Sequence, residues 1–352
     1  MKSITKMIFV AVVAIFLIPN FSFAWQGSGT ASVPYEIWNK DDLQALADTV
    51  NNHTQYYTAY GDLHFKLMAD ITDTFRTVIG HNNPAIIHRW NNHFDGNGHK
   101  IVVSITQNSN LGTWFLGLFG FADNYSVIEN LTVEGIVSGI AEVGGICGMN
   151  YGLIQNCTNY VSVTSIGGWS GGICGDNWGE ILHCVNLGSV KSNFLYIGGI
   201  CGINRGNISY CINVGNIKET DEVGGIVGRN SIAGSSSNSL NILENNLNIG
   251  TVEGQNIVGG IVACIAWNIN NNDIKNNVNA GFVKGNDAVG GIIGAVSVST
   301  NSTISNNFNS GVVSGETNWG CIIGLNLGTV TLINNHYDKQ MCGEPEPSEL
   351  GE

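Results

Sequence analysis

Glycine and aliphatic residues recur at a fixed spacing through the middle of the chain, from Val143 to Glu222. Three consecutive copies read VGGICGMNYGLIQNCTNYVSVTSIGGW, SGGICGDNWGEILHCVNLGSVKSNFLY and IGGICGINRGNISYCINVGNIKETDE. The cysteine after each Gly-Gly-Ile, at Cys147, Cys174 and Cys201, is 27 residues from the next. A period of this length is typical of solenoids, in which each repeat forms one coil that packs on its neighbour.

The repeat continues on both sides of these three copies. Gly-Gly-Ile-x tetrads recur at 224–227, 259–262 and 290–293, and a degenerate tetrad, Gly-Cys-Ile-Ile, begins at Gly320. A less regular first copy begins at Gly117. We therefore predict about eight coils between residues 114 and 338, the later ones lengthened by insertions rich in asparagine and serine.

Within each copy, short apolar runs alternate with glycine, asparagine and serine. In the second copy the runs are 172–174, 181–184 and 189–191, each too short for a helix and rich in residues that favour strands. No proline occurs between Pro84 and Pro345, so no backbone donor is lost from a ladder of stacked strands. The pattern predicts an all-β fold, a right-handed parallel β-helix with three short strands in each coil.

Equivalent positions in successive coils form columns, which predict the side chains that face the core. Two aliphatic columns are expected to be buried: Ile146, Ile173, Ile200, Ile226, Ile261, Ile292 and Ile322, and Ile154, Ile181, Ile208, Leu243, Ile274, Ile304 and Leu332. Asparagine forms two more: Asn150, Asn177, Asn204, Asn230 and Asn326, and Asn159, Asn186, Asn213, Asn248, Asn279 and Asn309. Stacked asparagines can hydrogen-bond along a column and tolerate left-handed corners, so we expect these residues to be structural.

Six of the nine cysteines form two further columns: Cys147, Cys174 and Cys201, and Cys157, Cys184 and Cys211. An odd number of cysteines cannot all pair within one chain. Stacked strands are about 4.8 Å apart, which is within disulfide range, but side chains in register point in parallel directions. Valine and isoleucine continue the first column, which favours small apolar groups and hence buried thiols with a structural role. Disulfides between coils, such as Cys147–Cys174, and a metal site are the alternatives.

The first 24 residues have the features of a secretory signal peptide. Lys2 and Lys6 precede an apolar segment at 7–18, and a Ser-Phe-Ala cleavage site lies before Trp25. We therefore expect a secreted protein, located in the periplasm, at the cell surface or outside the cell. No later apolar run is long enough to predict a membrane span.

Residues 25–113 lack the residue pattern of the repeats and are predicted to form an N-terminal cap. Residues 339–352 are predicted to form a C-terminal tail. Asn39 resembles a helix N-cap, and apolar residues at helical spacing follow it, so we predict a helix over 40–51. Its apolar face is expected to close the open end of the solenoid. The run 65–71 reads as a strand, and a Gly/Asn corner at 94–99 leads into a strand at 101–105.

The charge balance narrows the range of partners. The formal net charge is −13, it becomes −15 once the two lysines of the signal peptide are removed, and 12% of residues are charged. An acidic surface repels nucleic-acid phosphate and anionic lipid headgroups, so neither is an expected partner.

An ordered set of motifs resembles the GLUG-motif proteins. It comprises Tyr-Glu-Ile at 35–37, the predicted helix, Leu-Met-Ala-Asp-Ile at 67–71, FDGNGHKI at 94–101 and the Gly-Gly-Ile-x-Gly-x-Asn copies. GLUG-motif proteins are secreted or surface-exposed bacterial repeat proteins, found in adhesin-like proteins and beside peptidase domains in IgA-cleaving proteases. The resemblance implies a surface role and no catalytic residue. One copy departs from it, since Ala263 stands where the others have glycine.

Two groups of residues invite a metal-site interpretation. His81, His88, His93 and His99 fall within 19 residues, but their spacings match no usual zinc-ligand pattern. The segment from Asp95 to Gly98 is similar to a calcium loop but lacks the downstream glutamate of an EF-hand. We therefore predict no metal and no cofactor.

Many β-helix proteins cleave polysaccharides, and such chemistry needs carboxylates that converge on one face. The acidic residues of the coils do not recur in register, and the cluster Glu219, Asp221 and Glu222 reads as a solvated edge at a corner. We therefore predict no catalytic centre. A carbohydrate-active β-helix enzyme is the alternative, and a non-catalytic part of a larger surface protein is another.

Aromatic residues give the strongest indication of binding. Tyr151 and Trp178 occupy the same turn position in consecutive coils, and Trp169 and Tyr196 end those coils one period apart. Exposed rings in a ladder suit sugar stacking or a protein partner. We expect an adhesin-like structural or binding module that presents this patch to a carbohydrate or to a host or matrix protein.

Overall fold

The computed structural model describes residues 25–52, 62–83, 86–107, 114–219, 221–231, 241–266, 270–298 and 300–342. The predicted signal peptide and most of the predicted tail lie outside these ranges. The described chain is an all-β parallel solenoid of about nine turns, which confirms the predicted fold class. Two helices accompany it, α1 at Lys40–Asn52 and α2 at Lys339–Cys342.

From residue 143 onward each coil passes through four parallel sheets, here named S1 to S4 in chain order. S1 consists of Val143–Gly144, Ser170–Gly171, Ile197–Gly198, Asp221–Gly224, Asn256–Gly259, Asp287–Gly290 and Thr317–Gly320. S2 consists of Phe119–Ala122, Cys147–Asn150, Cys174–Asn177, Cys201–Asn204, Val227–Asn230, Val262–Ile265, Ile293–Val296 and Ile323–Asn326. Each of the eight strands of S2 begins within one predicted tetrad, seven of them at its last residue, in agreement with about eight coils in this part of the chain.

S3 consists of Tyr35–Ile37, His64–Leu67, His93–Asp95, Val127–Glu129, Leu153–Gln155, Glu180–Leu182, Asn207–Ser209, Asn241–Glu244, Asn270–Lys275, Asn301–Ser305 and Thr329–Ile333. S4 begins with four long strands, Ile71–Phe75, Lys100–Thr106, Thr132–Gly139 and Thr158–Ser165. It then divides into two lines. The first holds Val185–Asn186, Ile212–Asn213, Leu247–Asn248, Val278–Asn279, Phe308–Asn309 and His336–Tyr337, and the second Val190–Ser192, Ile217–Lys218, Val252–Glu253, Val283–Lys284 and Val313–Ser314. A separate antiparallel pair joins Asn82–Asn83 to Ile86–Ile87.

The prediction of three strands per coil was wrong. From the second copy to the coil that ends at Ser314, each coil has five short strands, because S1 adds a pairing before each tetrad and S4 is interrupted by a corner at Gly188 and its equivalents. At Gly188 a β-carbon would lie 2.0 Å from the carbonyl oxygen of Val161 in the coil below, so the corner tolerates no side chain. These interruptions are too short to read from apolar periodicity.

The N-terminal region continues the same sheets. Tyr35–Ile37, His64–Leu67 and His93–Asp95 are the first three strands of S3, paired in parallel with one another and with the first repeat. The predicted helix is present as α1, with Asn39 Oδ1 accepting hydrogen bonds from the backbone N–H groups of Asp41 and Asp42. The run 65–71, predicted as one strand, is instead divided between S3 and S4, because the chain turns at residues 68–70. The corner and the strand after it, Lys100–Thr106, are as predicted.

The aliphatic columns face the core as predicted, with Ile154, Ile181 and Ile208 in direct register and fully buried. The asparagine columns form hydrogen-bonded ladders inside the corners. In the second column, Nδ2 of each residue donates to Oδ1 of the next coil at 2.8 Å: Asn159, Asn186, Asn213, Asn248, Asn279 and Asn309. In the first column the ladder runs from Asn150 to Asn230, and Ile265 and Val296 separate it from Asn326.

The six cysteines of the two predicted columns are buried free thiols, as is Cys264. Burial raises the pKa of Cys147 and of Cys174, which keeps both thiols protonated. The second column does not continue as an apolar one. From the fourth full copy onward it becomes a third buried asparagine ladder, which the sequence analysis missed: Asn246, Asn277, Asn307 and Asn335.

Cys321 and Cys342 form a disulfide that the column argument did not anticipate. In earlier coils the position of Cys321 is glycine, because a β-carbon would meet the next coil; at Gly291 it would lie 2.1 Å from the Cys321 carbonyl oxygen. The structure describes no later coil above residue 321, so a side chain fits there. It links the last coil to α2 across a Cα–Cα distance of 5.7 Å.

Candidate functional site

One face of the early coils carries two parallel columns of large side chains, one at the corner before S1 and one in the turn after S2. The first column lies at the corner before S1 and holds Glu142, Trp169, Tyr196 and Glu222. All four have positive φ, from 36° to 66°. This backbone state is costly for residues with a β-carbon, at roughly 1–2 kcal/mol each. The corner recurs in every full copy, so the fold imposes it.

A glycine in the following coil makes room for each corner. A β-carbon on Gly175 would lie 2.5 Å from the carbonyl carbon of Glu142, and Gly202 stands equally close to Trp169. The glycine after each tetrad therefore lets the corner backbone pack flat against the next strand. The four corner side chains follow one another along one face of the solenoid, where Trp169 and Tyr196 are half-buried and Glu142 and Glu222 are buried.

The second column lies in the turn after S2 and is an aromatic stack. Tyr151 and Trp178 have ring centroids 5.2 Å apart and planes 16° from parallel. Phe121, which lies within the S2 strand of the preceding coil, stacks on the other face of Tyr151 at 5.4 Å and 14°. The spacing follows the rise between coils, since the turn backbones are bonded in register. The guanidinium of Arg205 closes the stack, 4.9 Å above the Trp178 ring. We name this column the aromatic stack.

Asp176 and Arg205 connect the two columns. Asp176 is 1% exposed; its Oδ1 accepts from Arg205 Nε at 3.1 Å, and its Oδ2 accepts from Trp178 Nε1 at 3.0 Å. The Arg205 guanidinium also lies 5.8 Å from the ring of Trp169. Arg205 is thus held between two tryptophans by a buried carboxylate. Burial raises the pKa of Asp176, and the Arg205 charge and the two hydrogen bonds oppose that rise.

Glu142 is an unusual carboxyl group beside this pair. It is 6% exposed, and its Oε2 is buried with no hydrogen-bond partner among the described residues. Burial, and then the charge of Asp176, raise its pKa to about 8, while Arg205 acts in the opposite direction. Glu142 is therefore neutral at pH 7 and can donate a hydrogen bond.

A second arginine covers the other end of the face. Arg229 binds Glu222 through Nε and Nη2, and its guanidinium lies 4.0 Å from the centroid of the Tyr196 ring. Trp169 and Tyr196 are 6.4 Å apart and tilted by 41°. Glu222 is buried, so its assignment to a solvated edge was wrong: the Arg229 side chain binds its carboxylate and compensates its charge.

The structure brings the four predicted aromatic residues, Tyr151, Trp169, Trp178 and Tyr196, together on this face, which we name the arginine–aromatic face. It does not leave the stack open for face-on sugar stacking, because Phe121 and Trp178 cover the two faces of Tyr151. Sequence analysis missed Glu142, Asp176, Arg205 and Arg229. A signal for Arg205 existed, since it lies one period after Trp178 and two after Tyr151.

The histidines do not form a common site. His81 packs against His88 with ring centroids 5.0 Å apart, whereas His93 bonds to Glu129 and His99 to Asp70. Asp95 Oδ1 accepts hydrogen bonds from the Asn97 backbone amide and from Asn130 Nδ2, so its carboxylate stabilises the corner at residues 94–99. Within the described ranges, no group of three or more His, Cys, Asp or Glu side chains is placed to hold a metal.

Helices long and apolar enough to cross a membrane do not occur in the described part of the chain.

Comparisons with known proteins give two partial likenesses. No family model matches the chain, so the resemblance to GLUG-motif proteins stays a prediction. A stretch of 155 residues, 40% of this chain, is 30% identical to halomucin of Haloquadratum walsbyi, and the match spans 2% of that protein's length. Among solved structures, a candidate immunoglobulin A1 protease from Bacteroides ovatus is similar over 88% of this chain and 77% of its own, with 19% identity and a TM-score of 0.45.

Proposed function

We propose that this protein is an exported, adhesin-like binding module that uses the arginine–aromatic face to hold a carbohydrate or a protein partner at the cell surface. Four large aromatic side chains and two arginines on one face carry the proposal. Aromatic and arginine side chains are enriched where proteins bind partners, because they offer large contact areas together with polar groups.

The predicted signal peptide and the resemblance to GLUG-motif repeats support an extracellular location. A stack of short coils joined by ladders is a stiff scaffold, which suits a protein that displays a surface. A role as the non-catalytic part of a larger surface protein is compatible with the same binding face.

The test is a glycan and extracellular-matrix array with residues 25–352. It compares the natural chain with Tyr151→Ala/Trp178→Ala and with a matched control, Tyr160→Ala/Tyr210→Ala, which removes two aromatic rings that are each 50% exposed elsewhere. We expect binding by the natural chain and the control, and loss in the first variant. Binding that survives in a folded first variant would place the site elsewhere, and no binding to either array would contradict the proposal.

One observation favours an enzyme as the second candidate. Glu142, with a pKa of about 8, lies beside Asp176, and an unequal pair of carboxyl groups is the arrangement that glycosidases use. Asp176, however, has both oxygens engaged and is buried. Release of reducing ends from polysaccharides, abolished by Glu142→Gln, would favour the enzyme over the adhesin.

A further inference from the structure

The arginines of this acidic chain are concentrated on the arginine–aromatic face. The sequence contains four arginines, and three of them lie over rings of this face or its extension: Arg89 over Phe121 at 4.7 Å, then Arg205 and Arg229. The formal net charge is −13. Each of the three is paired with a carboxylate, that of Asp123, Asp176 or Glu222, so the face carries no excess of positive charge, and recognition of an anion depends on the guanidinium N–H groups that these pairs leave free.

The geometry of the aromatic stack favours the same kind of ligand. Both faces of Tyr151 are covered, and Trp178 lies between Tyr151 and the Arg205 guanidinium. Half-buried rings in such a stack present their edges to solvent. Ring edges carry partial positive charge, so they favour electron-rich oxygen atoms over apolar surfaces.

Arg205 differs from the other two arginines in what its nitrogens bind. Arg89 donates to both oxygens of Asp123, and Arg229 binds Glu222 through two nitrogens. Arg205 donates to Asp176 through Nε, and neither of its terminal nitrogens hydrogen-bonds to another described residue. Its side chain is 19% exposed. Both terminal nitrogens of the guanidinium, with four N–H donors, therefore remain for a planar anion, and a carboxylate matches their fork.

Glu142 supplies an independent indication that this place holds a ligand. Its side chain is more than nine-tenths buried, close enough to Arg205 and Asp176 to interact with both, and its Oε2 has no partner within the described structure. A buried polar atom without a partner is costly, so it needs a group that is absent from the protein itself. A neutral carboxyl group can donate to an anion or a hydroxyl without repelling it.

We propose that the terminal nitrogens of Arg205, Glu142 and the edges of Tyr151 and Trp178 form a subsite for the carboxylate of an acidic sugar residue in a polysaccharide. This inference rests on the binding function proposed above and names its ligand class. A sugar is favoured over an acidic peptide because the surrounding groups, including the phenol of Tyr151, can serve the ring hydroxyls beside the carboxylate. The acidic remainder of the surface is screened beyond about 8 Å at physiological salt.

The experiment uses residues 25–352 and pairs of ligands that differ in the carboxylate alone. The pairs are polygalacturonate and its methyl ester, hyaluronan and its methyl ester, and sialyllactose and its methyl ester, with poly-glutamate as the peptide arm. The variants are Arg205→Gln and, as a matched control, Arg76→Gln, which changes the exposed fourth arginine in the N-terminal region. Affinity is measured by calorimetry for each protein and ligand.

We expect at least one acidic sugar to bind roughly tenfold or more tightly than its uncharged counterpart, as the loss of a charge-assisted hydrogen bond implies. Arg205→Gln should remove this preference and Arg76→Gln should keep it. Equal binding of charged and uncharged sugars would overturn the inference and leave the binding function standing, and so would stronger binding of poly-glutamate than of any sugar. Binding to none of these ligands would overturn the inference, and the array decides the binding function separately.

Discussion

Gly172 and Asn186 are packed so closely that a β-carbon on Gly172 would lie 2.3 Å from Cγ of Asn186. The same β-carbon would lie 2.4 Å from the carbonyl oxygen of Gly199 in the next coil. Equivalent glycines and asparagines are matched in this way in six coils, from Gly145 with Asn159 to Gly291 with Asn309. The two residue types therefore form one unit, in which the absent side chain makes space for the ladder.

This contact predicts that Gly172→Ala is strongly destabilising. Over-packing a closed core costs typically 1–3 kcal/mol, and here rigid backbone is involved, so we expect a loss of about 3 kcal/mol or more in the free energy of unfolding. Gly98→Ala is the control, since φ is +77° there but a β-carbon would meet nothing within 4 Å. Its cost should be about 1–2 kcal/mol, from backbone strain alone. The free energy of unfolding of both variants is measured in urea. Equal losses for Gly172→Ala and Gly98→Ala would show that the contact with Asn186 does not determine the cost of the substitution.

Replacement of Asn186, the asparagine of this pair, should also destabilise the fold. Asn186 is fully buried; it donates to Asn213 and to the Gly188 carbonyl, and it accepts from Asn159 and from the Gly188 amide. Asn186→Ala leaves these groups without partners, so we expect a loss of about 3 kcal/mol or more. Asn193→Ala, at an exposed position, should change stability by less than about 0.5 kcal/mol. Urea unfolding measures both variants. Equal free energies of unfolding for Asn186→Ala and Asn193→Ala would contradict a stabilising role of the ladder.

The cysteines should be unreactive in the folded protein. Seven are buried free thiols, and Cys321 and Cys342 are joined. A thiol reagent should therefore modify none of the seven in native buffer, all seven in denaturant, and all nine in denaturant after reduction. If disulfides joined the coils, fewer than seven thiols would react in denaturant before reduction, and this result would refute the buried-thiol assignment.

Glu142 should make stability fall as the pH rises. Its pKa in the folded state is about 8 against an ordinary 4.5, so between these values the unfolded chain loses a proton that the folded chain retains. Each unit of pKa corresponds to about 1.4 kcal/mol, so stability should decline by roughly 5 kcal/mol from pH 4 to pH 9 through this residue. Asp176 and Arg205, the charged groups that act on it, remain in place in Glu142→Gln.

The Glu142→Gln variant, which cannot ionise, should therefore gain stability over the natural chain as the pH rises from 4 to 9. Unfolding in urea across this range measures the difference. Glu180→Gln, at an exposed carboxylate in the next coil, should leave the pH profile unchanged. Parallel profiles for the natural chain and Glu142→Gln would mean that Glu142 is ionised in the folded protein.

Much of the fold could be predicted because each coil repeats the same physical requirements. Ile181 and its equivalents follow a fixed period, so their burial and register were evident from spacing. The winding hand stays a prediction. The third asparagine ladder was missed because Asn246 replaces a cysteine, and a change of residue type in one column gives no periodic signal. The Cys321–Cys342 link depends on the end of the stack, where a glycine position becomes free to carry a side chain.

The candidate site was predictable in part. Tyr151 and Trp178 share a turn position, which sequence spacing reveals. Glu142 and Asp176 occupy different positions in their coils, so comparison within one column could not bring them together. Their proximity arises because Glu142 stands at a left-handed corner that packs against the next coil at Gly175.

The most direct test of the account is a crystal structure of residues 25–352 with the acidic oligosaccharide that binds most tightly in solution. We predict that its carboxylate lies within about 3.2 Å of the terminal nitrogens of Arg205, with the sugar ring beside the edges of Tyr151 and Trp178. An oligosaccharide bound on another face of the solenoid, with no contact to Arg205 or Glu142, would contradict the account.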